Sequence, residues 1–233
     1  MFITTQSHDR LGWPSVRAVR QKEADGFARE DSPAQKLLAP WEIAELARDQ
    51  DLPRRNLRIR VRAALREWLG EVSGIIAAKI ALKRLPSGRL ELDETPARWT
   101  FSVSTRGDLG LIALGRAEDG EVGVDVESNA DSAVAALSAP AFTAAERAKL
   151  DTLPSSARTA AALRLWVRKE AVAKALGLGV AAFDAGLDLS ALNLAENHDG
   201  KTIQFCGRAV RVRDISVAEG YTAAVAVAAP KRI

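Results

Sequence analysis

Apolar residues return at helical spacing in three parts of the chain. The pattern is short between Ala34 and Arg48. After Pro53 it strengthens, with Leu57, Val61, Ala64, Leu65 and Trp68 recurring every three or four residues, and this predicts an amphipathic helix closed by Gly70. A longer helix is predicted from Pro154-Ser155-Ser156 to about Gly177, with Ala161, Leu165, Val172 and Leu176 as its buried stripe. Ahead of it, Thr143 and Glu146 have the spacing of a capping box that opens a helix towards Leu150.

Elsewhere the pattern is that of strands. Residues 1–33 mix Gly, Pro, charges and isolated aromatics, which predicts loose structure around one early strand. The segment 75–104 reads as strand-rich, with turns at Pro86-Ser87-Gly88 and around Glu94-Thr95-Pro96, and ends in the run Trp99–Ser104. Turns at Arg106-Gly107-Asp108 and Asp119-Gly120 lead into Leu109–Arg116 and Glu121–Glu127, so an antiparallel meander is expected. Residues 128–142 are small and polar and read as a loop between halves. The tail returns to strands at Thr202–Phe205, Arg208–Val217 and Tyr221–Ala228. Helices and strands alternate without a βαβ rhythm, which makes the fold class α+β.

Composition narrows the chemistry. With 233 residues, 47% of them hydrophobic, the chain can bury one sizeable core. Its 33 Lys and Arg against 30 Asp and Glu leave a net charge of +3, too small for wholesale coating of nucleic acid, so no nucleic-acid partner is expected. The single Cys206 excludes an internal disulfide and any cysteine-built metal site, which fits a reducing cytoplasm. No apolar stretch is long enough to span a bilayer, and MFITTQSHDR lacks the features of a secretory signal. The only histidines, His8 and His198, sit in polar stretches that read as tail and turn. Chemistry must therefore rest on carboxylates, Lys or Arg groups and a metal ion.

Three constellations offer it. In Gly123-Val124-Asp125-Val126-Glu127, strand alternation turns Val124 and Val126 inward and places Asp125 and Glu127 together on the other face. Their Cα atoms are then roughly 6–7 Å apart, close enough to converge on one hard cation such as Mg²⁺. The plain alternative is an ordinary half-exposed strand. In the second, Trp166, Glu170 and Lys174 succeed one another at i, i+4 on a helix side away from its buried stripe, so an acid and an amine share a surface. That could equally be a surface ion pair. In the third, Arg55, Arg58, Arg62 and Arg66 line one face of the first long helix, opposite its apolar stripe. There they would either grip phosphates or form a solvated face.

GVDVE at 123–127, followed some forty positions later by WVRKEA at 166–171 and then Lys174, resembles the paired signature of the 4'-phosphopantetheinyl transferases, in their surfactin-synthetase-activating class. The match covers residues 99–177, with looser likeness at the arginine helix and at Ser87-Gly88-Arg89. The resemblance implies a pseudo-dimer of two similar α+β halves, 1–122 and 123–233, each with an antiparallel sheet and a long helix, and coenzyme A in the cleft between them. It further implies Mg²⁺-dependent transfer of 4'-phosphopantetheine from coenzyme A to a serine of an apo acyl or peptidyl carrier protein, releasing adenosine 3',5'-bisphosphate. Asp125, Glu127 and Glu170 would hold Mg²⁺. Glu170 and Lys174 would carry the chemistry, and Lys174 would also touch the phosphates. Arg55, Arg62, Arg66, Arg89, Ser104 and Thr105 would bind coenzyme A. A cytoplasmic monomer is expected, with no membrane partner.

Two departures bear on cofactor grip. Thr105 stands where many relatives carry a histidine that helps hold the coenzyme A 3'-phosphate, with Arg106 next to it, and Leu90 replaces the proline of a Gly-Lys-Pro turn, in which Arg89 takes the lysine position. They predict weakened or rearranged coenzyme A binding with an intact metal triad. They also motivate an alternative reading as a non-catalytic module that binds coenzyme A or a carrier protein.

Overall fold

The computed structural model describes residues 3–5, 12–21, 32–93, 98–130, 139–194 and 200–230. In chain order its elements are β1 (Ile3–Thr5), β2 (Ser15–Arg20), α1 (Pro40–Leu46), α2 (Leu52–Ser73), β3 (Leu82–Arg84), β4 (Leu90–Leu92), β5 (Trp99–Arg106), β6 (Leu109–Arg116) and β7 (Glu121–Ser128). They continue with α3 (Ala144–Asp151), α4 (Ser155–Leu176), the short α5 (Ala181–Asp184), β8 (Lys201–Phe205), β9 (Arg208–Ile215) and β10 (Tyr221–Ala228). All pairings are antiparallel, in one sheet of order β1-β2-β6-β5, a second of order β7-β10-β9-β8 and a separate β3-β4 hairpin. The fold class is thus α+β.

Strand alternation sorts the apolar residues into layers. Val16, Ala18, Leu109, Leu111 and Ala113 of the first sheet meet Val122, Val124, Val126, Val225 and Val227 of the second, so the two sheets pack face to face. On the outer face of the first, Ile112, Leu114 and Phe101 receive Leu57, Val61, Leu65 and Trp68 of α2. On the outer face of the second, Val210, Val212, Ala224 and Ala226 receive Ala161, Leu165 and Val172 of α4. The order of layers is helix, sheet, sheet, helix. Each of the two sheets carries one 22-residue helix.

Two sequence expectations need correction. The helix predicted to close at Gly70 runs on to Ser73 and ends at Gly74, whose φ of 75° is the left-handed cap. Gly70 has a different use: a Cβ there would lie 2.7 Å from the Ile75 carbonyl oxygen, so its absence lets the chain fold back onto the helix. The expected three-stranded meander is also broken, because β7 leaves β5-β6 and pairs with β10. Along its other edge, the backbone N–H groups of Val122 and Val124 donate to the hydroxyls of Thr100 (3.4 Å) and Ser102 (3.1 Å) on β5. Side-chain hydroxyls thereby satisfy an edge that a hydrogen-bonded neighbour would otherwise cover. The expected turn at 94–96, both histidines and most of the 128–142 loop lie outside the described residues.

The capping box is present, with Thr143 Oγ1 accepting from the Glu146 N–H (3.2 Å) and Glu146 Oε2 from the Thr143 N–H (2.8 Å). Among the described residues no helix is long and apolar enough to cross a membrane.

Candidate active site

Gly123 sets the geometry. A Cβ at this position would lie 2.0 Å from the Ala171 carbonyl oxygen and 2.5 Å from the Ala175 nitrogen. Only hydrogen fits, so the backbone of α4 presses directly onto β7. The flanking residues Val122 and Val124 turn into the inter-sheet core, which leaves Asp125 and Glu127 facing the helix.

The helix answers with the row Trp166, Glu170 and Lys174. Lys174 Nζ donates to Asp125 Oδ1 (2.6 Å), to the Val124 carbonyl (3.1 Å) and to Ser104 Oγ (3.3 Å), while Ser104 Oγ donates to Asp125 Oδ1 (2.8 Å). One turn away, Glu170 senses both Asp125 and Glu127. Burial first, then the Asp125 charge, pushes its carboxyl up to about 6, against a smaller opposing pull from Lys174. At the far end of the row the Trp166 side chain hydrogen-bonds Glu127, and Arg106 Nε lies 2.9 Å from Glu127 Oε2. Burial and the neighbouring Asp125 nevertheless raise the Glu127 carboxyl above its ordinary value. Trp166 is itself seated against Phe183.

Glu170, Lys174 and Ser104 border a cavity of about 600 Å³ reached by both sheets' helices. It is lined by Glu170 and Lys174 of α4, by Ser102, Ser104 and Thr105 of β5, by Arg58 and Arg62 of α2, and by Arg84 with the Ser87-Gly88 turn of the β3-β4 hairpin. Arg89 lines it too, but its guanidinium is spent on Glu121 Oε2 (2.5 Å) and on the Lys174 carbonyl at the end of α4 (3.1 Å), so it bridges the hairpin to the second sheet and its helix.

Arg55 and Arg66, expected at the cofactor, do not line the cavity. Arg66 is buried and turned to α1, donating to Glu42 Oε2 (3.0 and 2.5 Å) and to the Ile80 carbonyl (2.6 Å). Arg62 is buried as well and donates to Glu42 Oε1 at 3.1 Å. The row is therefore no solvated face. Its counter-charges, Glu42, Glu45 and Asp49, sit three and four residues apart along α1 and just past it, a complementary spacing visible in the sequence. Sequence reasoning missed Arg84 and left Arg58 out of the residues expected at coenzyme A: the turn at Pro86-Ser87-Gly88 is legible locally, but the packing that carries Arg84 to Glu45 of α1 is tertiary.

The donor set fits a hard cation in its chemistry. Asp125 Oδ2 is buried and has no hydrogen-bond partner, and Asp125, Glu127 and Glu170 offer carboxylate oxygens, the ligands Mg²⁺ prefers. As they stand, no three carboxylate, imidazole or thiol side chains among the described residues are drawn close enough to enclose an ion. Lys174 pairs with Asp125 and Arg106 with Glu127.

Residues 121–227 match the 4'-phosphopantetheinyl transferase superfamily, a stretch that begins with β7 and ends in β10. Over 149 residues the chain is 31% identical to a Synechocystis sp. protein named as a candidate 4'-phosphopantetheinyl transferase; the matched part is 63% of this chain and 59% of the length of that relative.

Proposed function

We propose that this chain transfers the 4'-phosphopantetheine group of coenzyme A to a serine hydroxyl of an apo acyl or peptidyl carrier protein, with Mg²⁺, and releases adenosine 3',5'-bisphosphate. The observation that carries the reading is the meeting of Asp125 and Glu127 with Glu170 and Lys174, from two motifs forty residues apart, where Glu170 and Lys174 line a cavity that Arg58, Arg62 and Arg84 line as well. The superfamily match over 121–227 supports the transferase class.

In this reading the cavity takes a ligand with two separate phosphate groups, a diphosphate by Glu170 and Lys174 and a monoester by the arginines. Asp125, Glu127 and Glu170 would hold Mg²⁺, which when bound supplies positive charge at the diphosphate. Lys174, already beside Asp125, offers its ammonium to the same oxygens. The serine oxygen forms a bond to the phosphorus of the pantetheine phosphate as the bond from that phosphorus to the bridging oxygen breaks. Phosphoryl transfer asks mainly for such positioning and charge neutralisation, and no histidine is required. The serine proton needs an acceptor within the site. Glu170, raised to about 6, holds protons more readily than an ordinary carboxylate and faces the cavity. Arg58, Arg62 and Arg84 would take the second phosphate, with Thr105 nearby on β5 in place of an imidazole. In this reading the cofactor-gripping half ends and the metal-holding half begins at 122/123, two residues into β7.

Incubation with coenzyme A, Mg²⁺ and a panel of apo acyl and peptidyl carrier proteins tests the reading. A carrier should gain the mass of one phosphopantetheine. No gain on any carrier, with coenzyme A still bound, would favour a binding module instead.

A further inference from the structure

Arg54, Arg58, Arg62, Arg66 and Arg84 share their hydrogen bonds with three carboxylates, Glu42, Glu45 and Asp49. Two positive charges are left over, which match the dianion of a phosphate monoester. The arginines also repel one another. Burial, with the neighbouring Arg84 adding to it, holds the Arg62 guanidinium below its ordinary value. A wall of three cations in one place therefore needs something to gather them.

Glu45 is placed to do this. Its Oε1 accepts from Arg84 (2.5 Å), Arg58 (3.3 Å) and Arg62 (3.4 Å), and its Oε2 from Arg84 Nε (2.7 Å). All three arginines line the cavity, and Glu45 does not, so its carboxylate reaches them from outside the ligand space. The other anchors differ for each: Arg58 has Asp49, Arg62 has Glu42, and Arg84 has the Gly88 carbonyl of its own hairpin. Glu45 is thus the one acid that touches all three, and the only carboxylate among the described residues that ties Arg84, and with it the β3-β4 hairpin, to α1. A guanidinium carries five N–H donors, so binding from one side leaves others for a ligand.

We propose that Glu45 is a positioning residue that sets the preference of the cavity for a ligand bearing a phosphate monoester apart from its diphosphate. The proposal rests on the reading of coenzyme A as substrate. Without the Glu45 charge, Arg84 loses its two-pronged anchor and the three guanidiniums spread. Removing an acid also makes the wall more positive, and if the carboxylate merely opposed anions, its loss would strengthen binding. The two roles have opposite signs.

Calorimetric titration of the full chain with coenzyme A and with dephospho-coenzyme A separates them. The wild type is expected to bind coenzyme A about tenfold or more tightly than the dephospho form, a preference of the size that charge-assisted hydrogen bonds supply. Glu45→Gln should weaken coenzyme A alone and shrink the preference to about threefold or less, with Glu45→Asp in between. An unchanged preference in Glu45→Gln, or tighter coenzyme A binding, overturns the proposal. If Glu45→Gln does not fold, Glu45→Asp decides, since a wild-type preference there overturns it equally. A wild type that binds neither ligand, or binds both alike, overturns the substrate reading and the proposal with it. A wild type that discriminates while Glu45→Gln discriminates equally defeats only the role of Glu45.

Discussion

Lys174 Nζ stands 2.6 Å from Asp125 Oδ1, and this contact fixes the register between α4 and β7. Two residues along a strand advance the chain roughly 6.6 Å, and four along a helix about 6 Å. Pairing Lys174 with Asp125 thus sets Glu170, one turn back along the helix, beside both acids, and Trp166, a further turn back, reaches Glu127 with its long side chain. The gathering of Asp125, Glu127 and Glu170 around Lys174 follows from that one register.

Asp125→Ala removes the central acid of this arrangement. Lys174 keeps the Val124 carbonyl and Ser104 as partners and is partly open to water, so the fold should survive. Transfer to a carrier protein should fall by about 100-fold or more, the usual scale for losing a preorganised charge in a transfer site. Steady-state rates together with a circular dichroism melt check both halves of the prediction; wild-type turnover in a folded variant would show that Asp125 has no part in the chemistry.

Gly123→Ala tests the packing beneath the site. The added methyl would enter space held by the Ala171 carbonyl and the Ala175 nitrogen, and backbone cannot swing aside as a side chain can. Overpacking of this kind costs about 1–3 kcal/mol, and the close approach here places it at or above the upper end. A lowered thermal midpoint is expected, with loss of transfer as α4 is pushed off β7. A midpoint within one degree of wild type would contradict the direct contact of helix and strand.

Much of this was legible in the residues. The alternation in GVDVE and the i, i+4 row of Trp166, Glu170 and Lys174 carried the facing of the two motifs, because each depends only on local periodicity. The arginine row was read as a helix face, phosphate-gripping or solvated, and neither alternative foresaw the burial of Arg62 and Arg66. Arg62 and Arg66 are buried because α1 folds against α2 and brings Glu42 to them, a tertiary event that periodicity within α2 does not report. The switch of β7 into a second sheet was hidden for a similar reason. Its hairpin-like turn at Asp119-Gly120 resembles the one at Gly107-Asp108, but the edge of β6 that it would pair with is taken by β2, from far earlier in the chain, and β7 pairs with β10 instead.

Lys169, inside the second motif, is buried and serves structure. It donates to Glu146 Oε2 (2.7 Å) and to the Leu187 carbonyl (2.5 Å), while Glu146 also accepts from the Leu189 N–H (2.7 Å). Lys169→Met leaves a buried carboxylate without its cation and should cost about 3–5 kcal/mol in a denaturant titration. The double variant Lys169→Met, Glu146→Leu should recover part of that loss. A single variant as stable as wild type would remove the pair from the account of how α3 is locked to α4.

The raised Glu170 carboxyl carries a stability signature. Its folded value of about 6 exceeds the ordinary 4.5, so the native state binds the proton more tightly than the unfolded chain does. The stabilisation is full below pH 4.5 and is lost as pH rises through 6, on the order of 2 kcal/mol in all. Glu170→Gln cannot lose it. The stability of the variant relative to wild type should therefore rise between pH 4.5 and 6.5, as read from urea unfolding at each pH. A difference flat across that range would place Glu170 in ordinary solvent.

Mn²⁺ binding followed by electron paramagnetic resonance in the presence of coenzyme A tests the central claim most directly, since it asks whether Asp125, Glu127 and Glu170 close on one cation. The wild type should bind a single Mn²⁺, more tightly with coenzyme A than without, and Asp125→Ala, Glu127→Ala and Glu170→Ala should each lose that binding. Wild-type Mn²⁺ affinity retained in any of the three folded variants would contradict the account.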